Sequence, residues 1–377
     1  MKNTKTLVIL SPAFPENEEA TYWVPSQQLM VKTLKENYPA MNIVVLTLLY
    51  PYTKSIYQWN GVKVISFDGM HLRKLKRPLL WLKAWKTLKK LHAENELVGL
   101  LSFWCGEAAF IANRFAKKYA VQHFIWICGQ DARKTNRWVP FISPKEDQLL
   151  AMSPSLCDEF LKNHKVKPKW IIPNAIDPSS FSSAMPPKKD IDILGVGSFE
   201  PLKQYDVFTQ IIYKLKASLP DIKSFHAGIG REQQKIEKLI KELSLQNNFT
   251  LLGGKTHKEI LELTQRTKIF MHTSNYEGFS TVCLEALYAG AHVISFSYPL
   301  NEPVSHWHVV KSAEEMQLKA LEILTDPSID YSPVLLYSMI DSANAIMNLF
   351  TEKQIAIDKI LPGTKEVLQP IASPLSL

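Results

Sequence analysis

Glu277-Gly-Phe-Ser-Thr-Val-Cys-Leu-Glu285 is the stretch of sequence that decides the fold. It follows an apolar run over residues 269–274 and leads, through a short apolar block, into a second apolar run over residues 292–296. This order predicts a strand, a glycine-containing turn, a buried helix and a second strand. Glu277 then lies at the carboxyl end of the first strand, which is the edge where α/β sheets bind ligands.

The predicted helix has two features that indicate a ligand. It is apolar on almost every side except at Glu285, and a carboxylate is seldom buried without a partner. Glu285 should therefore face a ligand or a fixed hydrogen-bond donor. The helix start, just after Gly278, offers unpaired backbone N–H groups and the positive end of the helix dipole, which suit a phosphate group.

Strands and helices alternate along the chain, which predicts an α/β protein with parallel sheets. A chain of 377 residues should form two domains. Proline and serine are frequent over residues 173–189, which places the domain boundary there. We expect an N-terminal acceptor-binding domain over 1–172 and a C-terminal domain over 173–333 that binds the nucleotide-sugar donor. A helix over 334–362 should cross back to the first domain, and residues 363–377 should form a tail.

Composition excludes several classes of protein. With 46% hydrophobic and 21% charged residues, the chain can bury large cores and is not of the disordered class. Its four cysteines are far apart and form no CxxC pair, which argues against a zinc cluster or a disulfide framework and fits a reducing cytoplasm. No signal-peptide pattern precedes the first predicted strand, and no apolar run approaches the length of a membrane span.

Positive charge is concentrated in the first half of the chain. Residues 1–170 contain 25 Lys and Arg against 13 Asp and Glu, a net charge of +12, whereas the remainder has a net charge of −4. Arg73-Lys-Leu-Lys-Arg77 precedes a predicted helix that carries Trp81, Trp85 and several lysines. Such a helix either docks on anionic lipid or is a surface helix whose tryptophans pack on the sheet. No nucleic-acid motif accompanies the charge, so nucleic acid is not an expected partner.

Three further motifs accompany the two glutamates. They are Ile171-Ile-Pro-Asn-Ala-Ile-Asp177, Leu194-Gly-Val-Gly-Ser-Phe-Glu-Pro-Leu-Lys203 and Ala227-Gly-Ile-Gly230. In this order, and with two glutamates separated by seven residues, the chain resembles the retaining glycosyltransferases of family 4, the glycosyl transferases group 1. The resemblance covers roughly residues 170–300. It implies a GT-B fold, in which two Rossmann-like domains with parallel sheets face each other across a cleft.

The resemblance also implies roles for single residues. Glu277 would contact the donor sugar near the reacting carbon, and Lys203 would stabilise the leaving diphosphate, so these two are the catalytic candidates. Glu285 would bind the ribose diol. The structural alternatives are a Glu285 paired inside the fold, a solvated Glu277 and an exposed Lys203. The other candidates for donor binding are the loop and helix-start residues Gly197, Ser198, Gly278, Phe279, Ser280 and Thr281.

Two features concern how the charge of the diphosphate is balanced. Ser198 stands where the family has an arginine, so either Lys203 and the helix start suffice or another cation such as Arg231 contributes. Asp190-Ile-Asp192 matches the DxD pattern that holds a metal in a different glycosyltransferase fold. Because no further acidic or histidine ligand lies nearby in the sequence, we interpret it as a solvated turn and expect neither a metal nor a separate cofactor.

The acceptor side departs further from the family pattern. Cys128 stands where the family often has a histidine, and at a strand end it is typical of a small buried hydrophobe. Asp131 and Glu107 are then the carboxylates available to orient the acceptor hydroxyl. The loop over residues 12–19 lacks the glycine pair often found there.

The sequence thus predicts a retaining glycosyltransferase that moves a hexose-type sugar from a nucleotide-diphosphate sugar to a glycan or lipid-linked acceptor, in surface polysaccharide biosynthesis. We expect it in the cytoplasm, with peripheral contact at the inner face of an anionic membrane as one option. Two alternatives stay open: a non-catalytic module that binds nucleotide sugars or glycans, and a nucleotide-sugar epimerase on a similar fold.

Overall fold

The structure is a computed structural model that describes residues 4–21, 23–72, 74–182 and 188–351. It contains two sheets with helices packed on their faces, which confirms the predicted α/β class. The predicted tail over 363–377, and the end of the predicted helix over 334–362, lie outside the described residues.

The first domain is built on an eight-stranded sheet, whose strands are β1 (Lys5–Ala13), β2 (Asn42–Tyr50), β3 (Ile56–Trp59), β4 (Val62–Ser66), β5 (Glu96–Phe103), β6 (His123–Ile127), β7 (Leu149–Ala151) and β8 (Trp170–Ile171). Their order across the sheet is β3-β4-β2-β1-β5-β6-β7-β8. Neighbouring strands are parallel except β3 and β4. The chain runs outward in both directions from β1, so a crevice opens at the carboxyl end of this strand.

Strand β3 is an element that the sequence analysis did not predict. It forms an antiparallel hairpin with β4 through Asn60 and Gly61, which both have positive φ (45° and 71°). An Asn-Gly pair is the preferred two-residue turn of a hairpin, because both residues tolerate this conformation. Trp59 anchors the hairpin by packing edge-on against Phe14, with ring centroids 4.9 Å apart.

The second domain is built on a six-stranded sheet, whose strands are β9 (Ile191–Val196), β10 (Ser224–Ala227), β11 (Phe249–Leu251), β12 (Thr267–His272), β13 (His292–Ser295) and β14 (Trp307–Val309). All neighbours are parallel, in the order β11-β10-β9-β12-β13-β14. The strand order reverses between β9 and β12. Loops that follow these two strands therefore meet at the switch point where such sheets bind ligands.

Helices connect the strands and cover the sheets. They are α1 (Pro25–Asn37), α2 (Arg77–Glu94), α3 (Glu107–Tyr119), α4 (Trp138–Ile142), α5 (Pro154–His164), α6 (Tyr205–Lys216), α7 (Gln233–Glu242), α8 (His257–Gln265), α9 (Thr281–Tyr288), α10 (Ala313–Thr325) and α11 (Met339–Phe350). In the described part of the chain, no helix is long and apolar enough to cross a lipid bilayer.

Helix α11 packs on the first domain, although it follows the second in sequence. Tyr38, just after α1, donates a hydrogen bond to Asn344 Oδ1 at 2.8 Å. Phe350 lies against Phe124, with ring centroids 5.0 Å apart. It also fills the space over Gly99, where an added Cβ would come within 2.2 Å of its ring. The last described helix therefore ties the two domains together.

Candidate active site between the two sheets

The loops that follow β9 and β12 bring Lys203 and Glu277 together. Lys203 ends a short 3-10 turn over Pro201–Lys203, and its ammonium group forms an ion pair with Glu277 Oε1. Two hydrogen bonds join the loops beneath this pair: Thr273 Oγ1 donates to Lys203 O at 2.7 Å, and Asn275 N donates to Leu202 O at 3.2 Å. The two predicted catalytic residues, 74 positions apart in sequence, are thus in contact.

Glu277 is held in its ionised form. Burial alone raises the pKa of its carboxyl group, but the neighbouring His272 ring and the charge of Lys203 outweigh burial and lower this pKa to about 2. His272 Nε2 lies 3.3 Å from Glu277 Oε1. Burial lowers the pKa of His272 itself. At neutral pH the site therefore presents an ammonium and a carboxylate side by side.

The predicted phosphate loop leaves β9 through Gly197, which has a φ of 147°. A Cβ at Gly197 would lie 2.9 Å from the Tyr205 hydroxyl oxygen, so a larger residue would collide with the wall of the loop. Ser198 is exposed at the tip of this loop. Arg231, considered above as a substitute cation, is engaged by Glu200 through an Nε–Oε2 contact of 2.8 Å.

The start of α9 is pressed against the first domain. A Cβ at Gly278 would lie 2.4 Å from Cys128 O, so glycine is what lets the two domains approach here. Ser153 Oγ donates to Gly278 O at 3.1 Å. The buried Phe279 ring packs edge-on against Tyr337, and Ser280 is the N-cap residue of the helix.

A polar cluster between the domains holds the side chain of Thr281. Its Oγ1 lies 2.6 Å from Ser26 Oγ, and Asn174 Nδ2 donates to both oxygens. Thr281 is therefore committed to the domain contact through its side chain. Ser26 was not a predicted site residue, and Asn174 lay in a quoted motif without an assigned role, because nothing in their local sequence shows which strand end they face.

Glu285 lies one turn further along α9 and is only 4% exposed. Its Oε1 is 2.6 Å from His257 Nε2, so His257 is the fixed donor that a buried carboxylate requires. His257 begins α8, just after the N-cap residue Thr256. Burial lowers the pKa of His257, but the carboxylate of Glu285 outweighs burial, and the pKa is raised overall. The sequence analysis did not single out His257.

A cleft of about 450 Å³ lies between the two domains at this point, and each domain forms one of its walls. Lys203, Glu277 and Gly278 line it from the second domain, together with Leu202 and Tyr276. The first domain contributes Pro12, Trp104, Cys128, Gly129 and Gln130. Glu277 is the one carboxylate among these described lining residues.

Residues 178–329 match the family model described as glycosyl transferases group 1. The second domain is thus similar to that family over these residues. The resemblance inferred from the two-glutamate block is thereby confirmed.

Curated proteins similar to this chain are named as glycosyltransferases. The phosphatidylinositol N-acetylglucosaminyltransferase gpi3 subunit of Schizosaccharomyces pombe is 25% identical over 240 residues, which are 62% of this chain and 52% of that protein. An N-acetylgalactosaminyltransferase of Campylobacter jejuni that acts on a diphospho-undecaprenol-linked sugar is 26% identical over 236 residues, or 59% of this chain and 63% of that protein. The chain thus spans about half the length of the fission-yeast relative.

Solved structures share the fold over nearly the whole chain. Sucrose-phosphate synthase of Thermosynechococcus elongatus superimposes with a TM-score of 0.66 at 15% identity, covering 93% of this chain and 97% of that one. HepE of Anabaena, solved with UDP and glucose, gives a TM-score of 0.63 at 14% identity, covering 92% and 95%. The structure therefore has the GT-B fold that the sequence predicted.

Both carboxylates considered for the acceptor are bound inside the first domain. Asp131 accepts backbone N–H groups from Cys105, Cys128 and Gly129 at 2.8, 3.1 and 2.8 Å, and burial raises its pKa to about 6. Glu107 accepts from Trp81 Nε1 at 2.6 Å. Both carboxylates are thus engaged by groups of the first domain, and their role toward an acceptor stays a prediction.

Aromatic and backbone groups close the first-domain wall. Tyr276 of the second domain donates its hydroxyl to Gly129 O at 2.9 Å, and the Arg133 guanidinium lies 3.9 Å from the centre of the Tyr276 ring. Trp104 lines the cleft in a left-handed conformation with a φ of 65°, which is uncommon for a bulky residue. Cys128 Sγ accepts a long contact of 3.6 Å from Gln27 Nε2.

The DxD pattern is engaged in surface ion pairs. Asp190 binds the Arg266 guanidinium through contacts of 2.9 and 2.6 Å, and Asp192 Oδ1 lies 2.8 Å from Lys268 Nζ. Within the described ranges, no group of three or more His, Cys, Asp or Glu side chains could hold a metal ion.

Proposed function

We propose that the protein is a retaining glycosyltransferase that moves a hexose-type sugar from a nucleotide-diphosphate sugar to a glycan or lipid-linked acceptor. The observation that carries this proposal is the Lys203–Glu277 pair at the switch point of a group 1 domain, with Glu285 buried one turn inside α9. The names of the similar proteins support the reaction class, and HepE with UDP supports the kind of donor.

The donor would lie across the switch point of the second sheet. Lys203 would move from Glu277 towards the diphosphate and balance the charge that develops on it, which is usually the largest catalytic contribution. The backbone N–H groups at the start of α9 would bind the same diphosphate. Glu277 would hold a hydroxyl of the sugar, and Glu285 would accept hydrogen bonds from the ribose diol while His257 fixes its orientation.

In this proposal the configuration at the anomeric carbon is retained, because the acceptor hydroxyl attacks that carbon on the same face from which the diphosphate leaves. The bond between the anomeric carbon and the phosphate oxygen breaks, and a bond from that carbon to the acceptor oxygen forms. The proton of the acceptor hydroxyl passes to the departing phosphate oxygen. Glu277 is the one carboxylate among the described lining residues and would hold the sugar, so in this proposal the departing phosphate takes the place of a protein base.

Sugar transfer in this proposal needs no metal ion, and the protein works at a membrane surface. Lys203 would supply the positive charge that a metal supplies in other transferases, and both carboxylates of the DxD pattern are occupied by Arg266 and Lys268. We place the protein in the cytoplasm, at the inner face of a membrane, with a product destined for a surface polysaccharide or glycolipid.

One alternative has a specific observation in its favour. Ser198 replaces the family arginine, and Arg231 is held by Glu200, so the diphosphate would meet less positive charge than in the family pattern. A non-catalytic module that binds a nucleotide sugar would have this character. It would bind the donor but would release no nucleotide when acceptors are supplied. An epimerase would instead change the free nucleotide sugar without any acceptor.

A thermal-shift panel with UDP, GDP, ADP, CMP and dTDP tests the proposal. A nucleotide that binds the folded state must raise the melting temperature. We expect one nucleotide to stabilise the wild type and to lose this effect in Glu285→Gln. Glu259→Gln is the matched control, because Glu259 caps the neighbouring helix α8 and lies on the surface. Absence of any shift in the wild type would contradict the proposed donor site.

A further inference from the structure

Helix α2 presents an exposed apolar face on the outside of the first domain. Leu75, in the turn that leads into the helix, is followed by Leu79 and Leu82, and the spacing of four and three residues places them on one side. They are 93%, 56% and 49% exposed. The opposite side of α2 packs into the domain through Leu80, Ala84, Leu88 and Leu91. The three outer leucines are thus not needed to hold the helix in place.

The tryptophans of the same helix point inward. Trp81 Nε1 donates to Glu107, and the Trp81 ring lies 5.3 Å from Phe110. The Trp85 ring lies 5.3 Å from Phe115. Both partners of these rings are on α3, so the tryptophans pack into the domain against that helix. The outer face of α2 is left to leucines and lysines.

Lysines surround the exposed leucines. Lys76 and Lys83 are exposed next to them, and Lys86, Lys89 and Lys90 continue the outer face towards the end of the helix. A helix whose outer face combines exposed leucines with lysines is typical of segments that lie in the interface of an anionic bilayer. The net charge of +12 over residues 1–170 adds a long-range attraction to the same anionic bilayer.

The neighbouring helix α4 carries a further exposed apolar side chain, Phe141. Phe141 is 62% exposed, and α4 is joined to α2 through Trp138, whose ring lies 6.1 Å from that of Trp81. The face also lies at the cleft end of the domain. Glu107, which Trp81 contacts, is the first residue of α3 and follows the cleft residue Trp104 by three positions.

We propose that Leu75, Leu79, Leu82 and Phe141, with the exposed lysines of α2, dock the protein on an anionic lipid bilayer. The leucines and Phe141 would enter the headgroup region, and the lysines would contact lipid phosphates. A nucleic acid would use the lysines but leave the leucines in water. Docking at the cleft end would let a lipid-linked acceptor reach the site from the bilayer. Only this last point rests on the proposed transferase function, so vesicle binding and sugar transfer can fail separately.

Co-sedimentation with vesicles tests the surface. The full chain is mixed with vesicles of phosphatidylcholine alone, or of phosphatidylcholine with phosphatidylglycerol. The variants are Leu75→Ser/Leu79→Ser/Leu82→Ser and Lys83→Glu/Lys86→Glu. Matched controls in the second domain are Leu318→Ser, at a leucine that is 63% exposed, and Lys238→Glu/Lys241→Glu on α7. Melting temperatures check that every variant is folded.

We expect the wild type to bind the anionic vesicles and to be released by salt. Each set of variants at the proposed surface should lower the partition coefficient by about tenfold or more, whereas the controls should bind like the wild type. No binding of the wild type to anionic vesicles would overturn the proposal. Equal binding by the leucine variant, or equal binding of the wild type to neutral vesicles, would also overturn it.

Discussion

The two walls of the cleft use their charged residues in opposite ways. In the second domain, Lys203 and Glu277 face the cleft and each other, and Glu285 is oriented by His257 just behind them. In the first domain, Asp131 is bound by backbone N–H groups of its own loop and of Cys105, which follows β5. One wall of the cleft therefore carries paired charges, which in the proposed function would bind the donor, whereas the carboxylate of the other wall holds loops in shape. Acceptor recognition should accordingly depend on backbone and aromatic groups such as Trp104.

Removal of the cation on the charged wall should have the largest effect. In Lys203→Ala the leaving diphosphate loses its positive partner, and we expect kcat to fall by roughly 10²–10³-fold, as for other groups that stabilise developing charge. The measurement is nucleotide release from the donor identified by the nucleotide panel. Lys235→Ala is the control, because Lys235 is exposed, pairs with Asp206 and is not among the described residues that line the cleft. A turnover in Lys203→Ala equal to that of the control would contradict the assignment.

Loss of the ribose contact should weaken binding more than turnover. Glu285→Gln removes the charge from two hydrogen bonds to the diol, so the Kd of the nucleotide should rise about tenfold or more. Calorimetric titration with the nucleotide and its 2′-deoxy analogue measures this. The wild type should prefer the ribonucleotide, and the variant should discriminate less between the two. Undiminished discrimination in Glu285→Gln would place the ribose elsewhere.

The contact between the two walls can be broken at Gly278. Gly278→Ala places a methyl group within 2.4 Å of Cys128 O, so the walls must separate or the loop must shift. Such overpacking costs about 1–3 kcal/mol of the free energy of unfolding. Gly106→Ala is the control, since a Cβ there meets nothing within 4 Å. Equal denaturation midpoints for the two variants would show that the walls do not depend on this glycine.

The same contrast explains what the sequence could predict. Periodicity located the parallel strands of both sheets except β14 (Trp307–Val309), and the family motifs indicated Lys203, Glu277 and Glu285 as site candidates, because donor chemistry is concentrated in short contiguous stretches. His257 and Asn174 were missed, since their roles depend on which distant loops the fold brings next to them. Strand β3 was missed although Asn60-Gly61 offered a local signal for it.

The histidine behind Glu285 should make stability depend on pH. Because Glu285 raises the folded-state pKa of His257 above 6.5, its ordinary value, the stabilisation is complete below 6.5 and is lost as the pH rises through the raised pKa. Chemical denaturation of wild type and His257→Gln across this range measures the effect. The difference in unfolding free energy should shrink as the pH increases. A difference that is constant with pH would show that His257 is neutral throughout.

The smallest effect is expected where charge lies outside the cleft. Asp190→Asn removes a surface ion pair with Arg266, and such pairs contribute little. Sugar transfer should proceed at the wild-type rate in this variant, and addition of EDTA should leave the rate unchanged. A strong loss in either experiment would indicate a metal held by the DxD pattern and would contradict the assignment of charge balance to Lys203.

A crystal structure with the nucleotide diphosphate chosen by the panel tests the central claim most directly. We expect Lys203 to leave Glu277 and to contact the diphosphate, which the backbone N–H groups at the start of α9 should also bind. Glu285 should accept hydrogen bonds from both ribose hydroxyls. A nucleotide bound away from the ends of β9 and β12, or a ribose that does not contact Glu285, would contradict it.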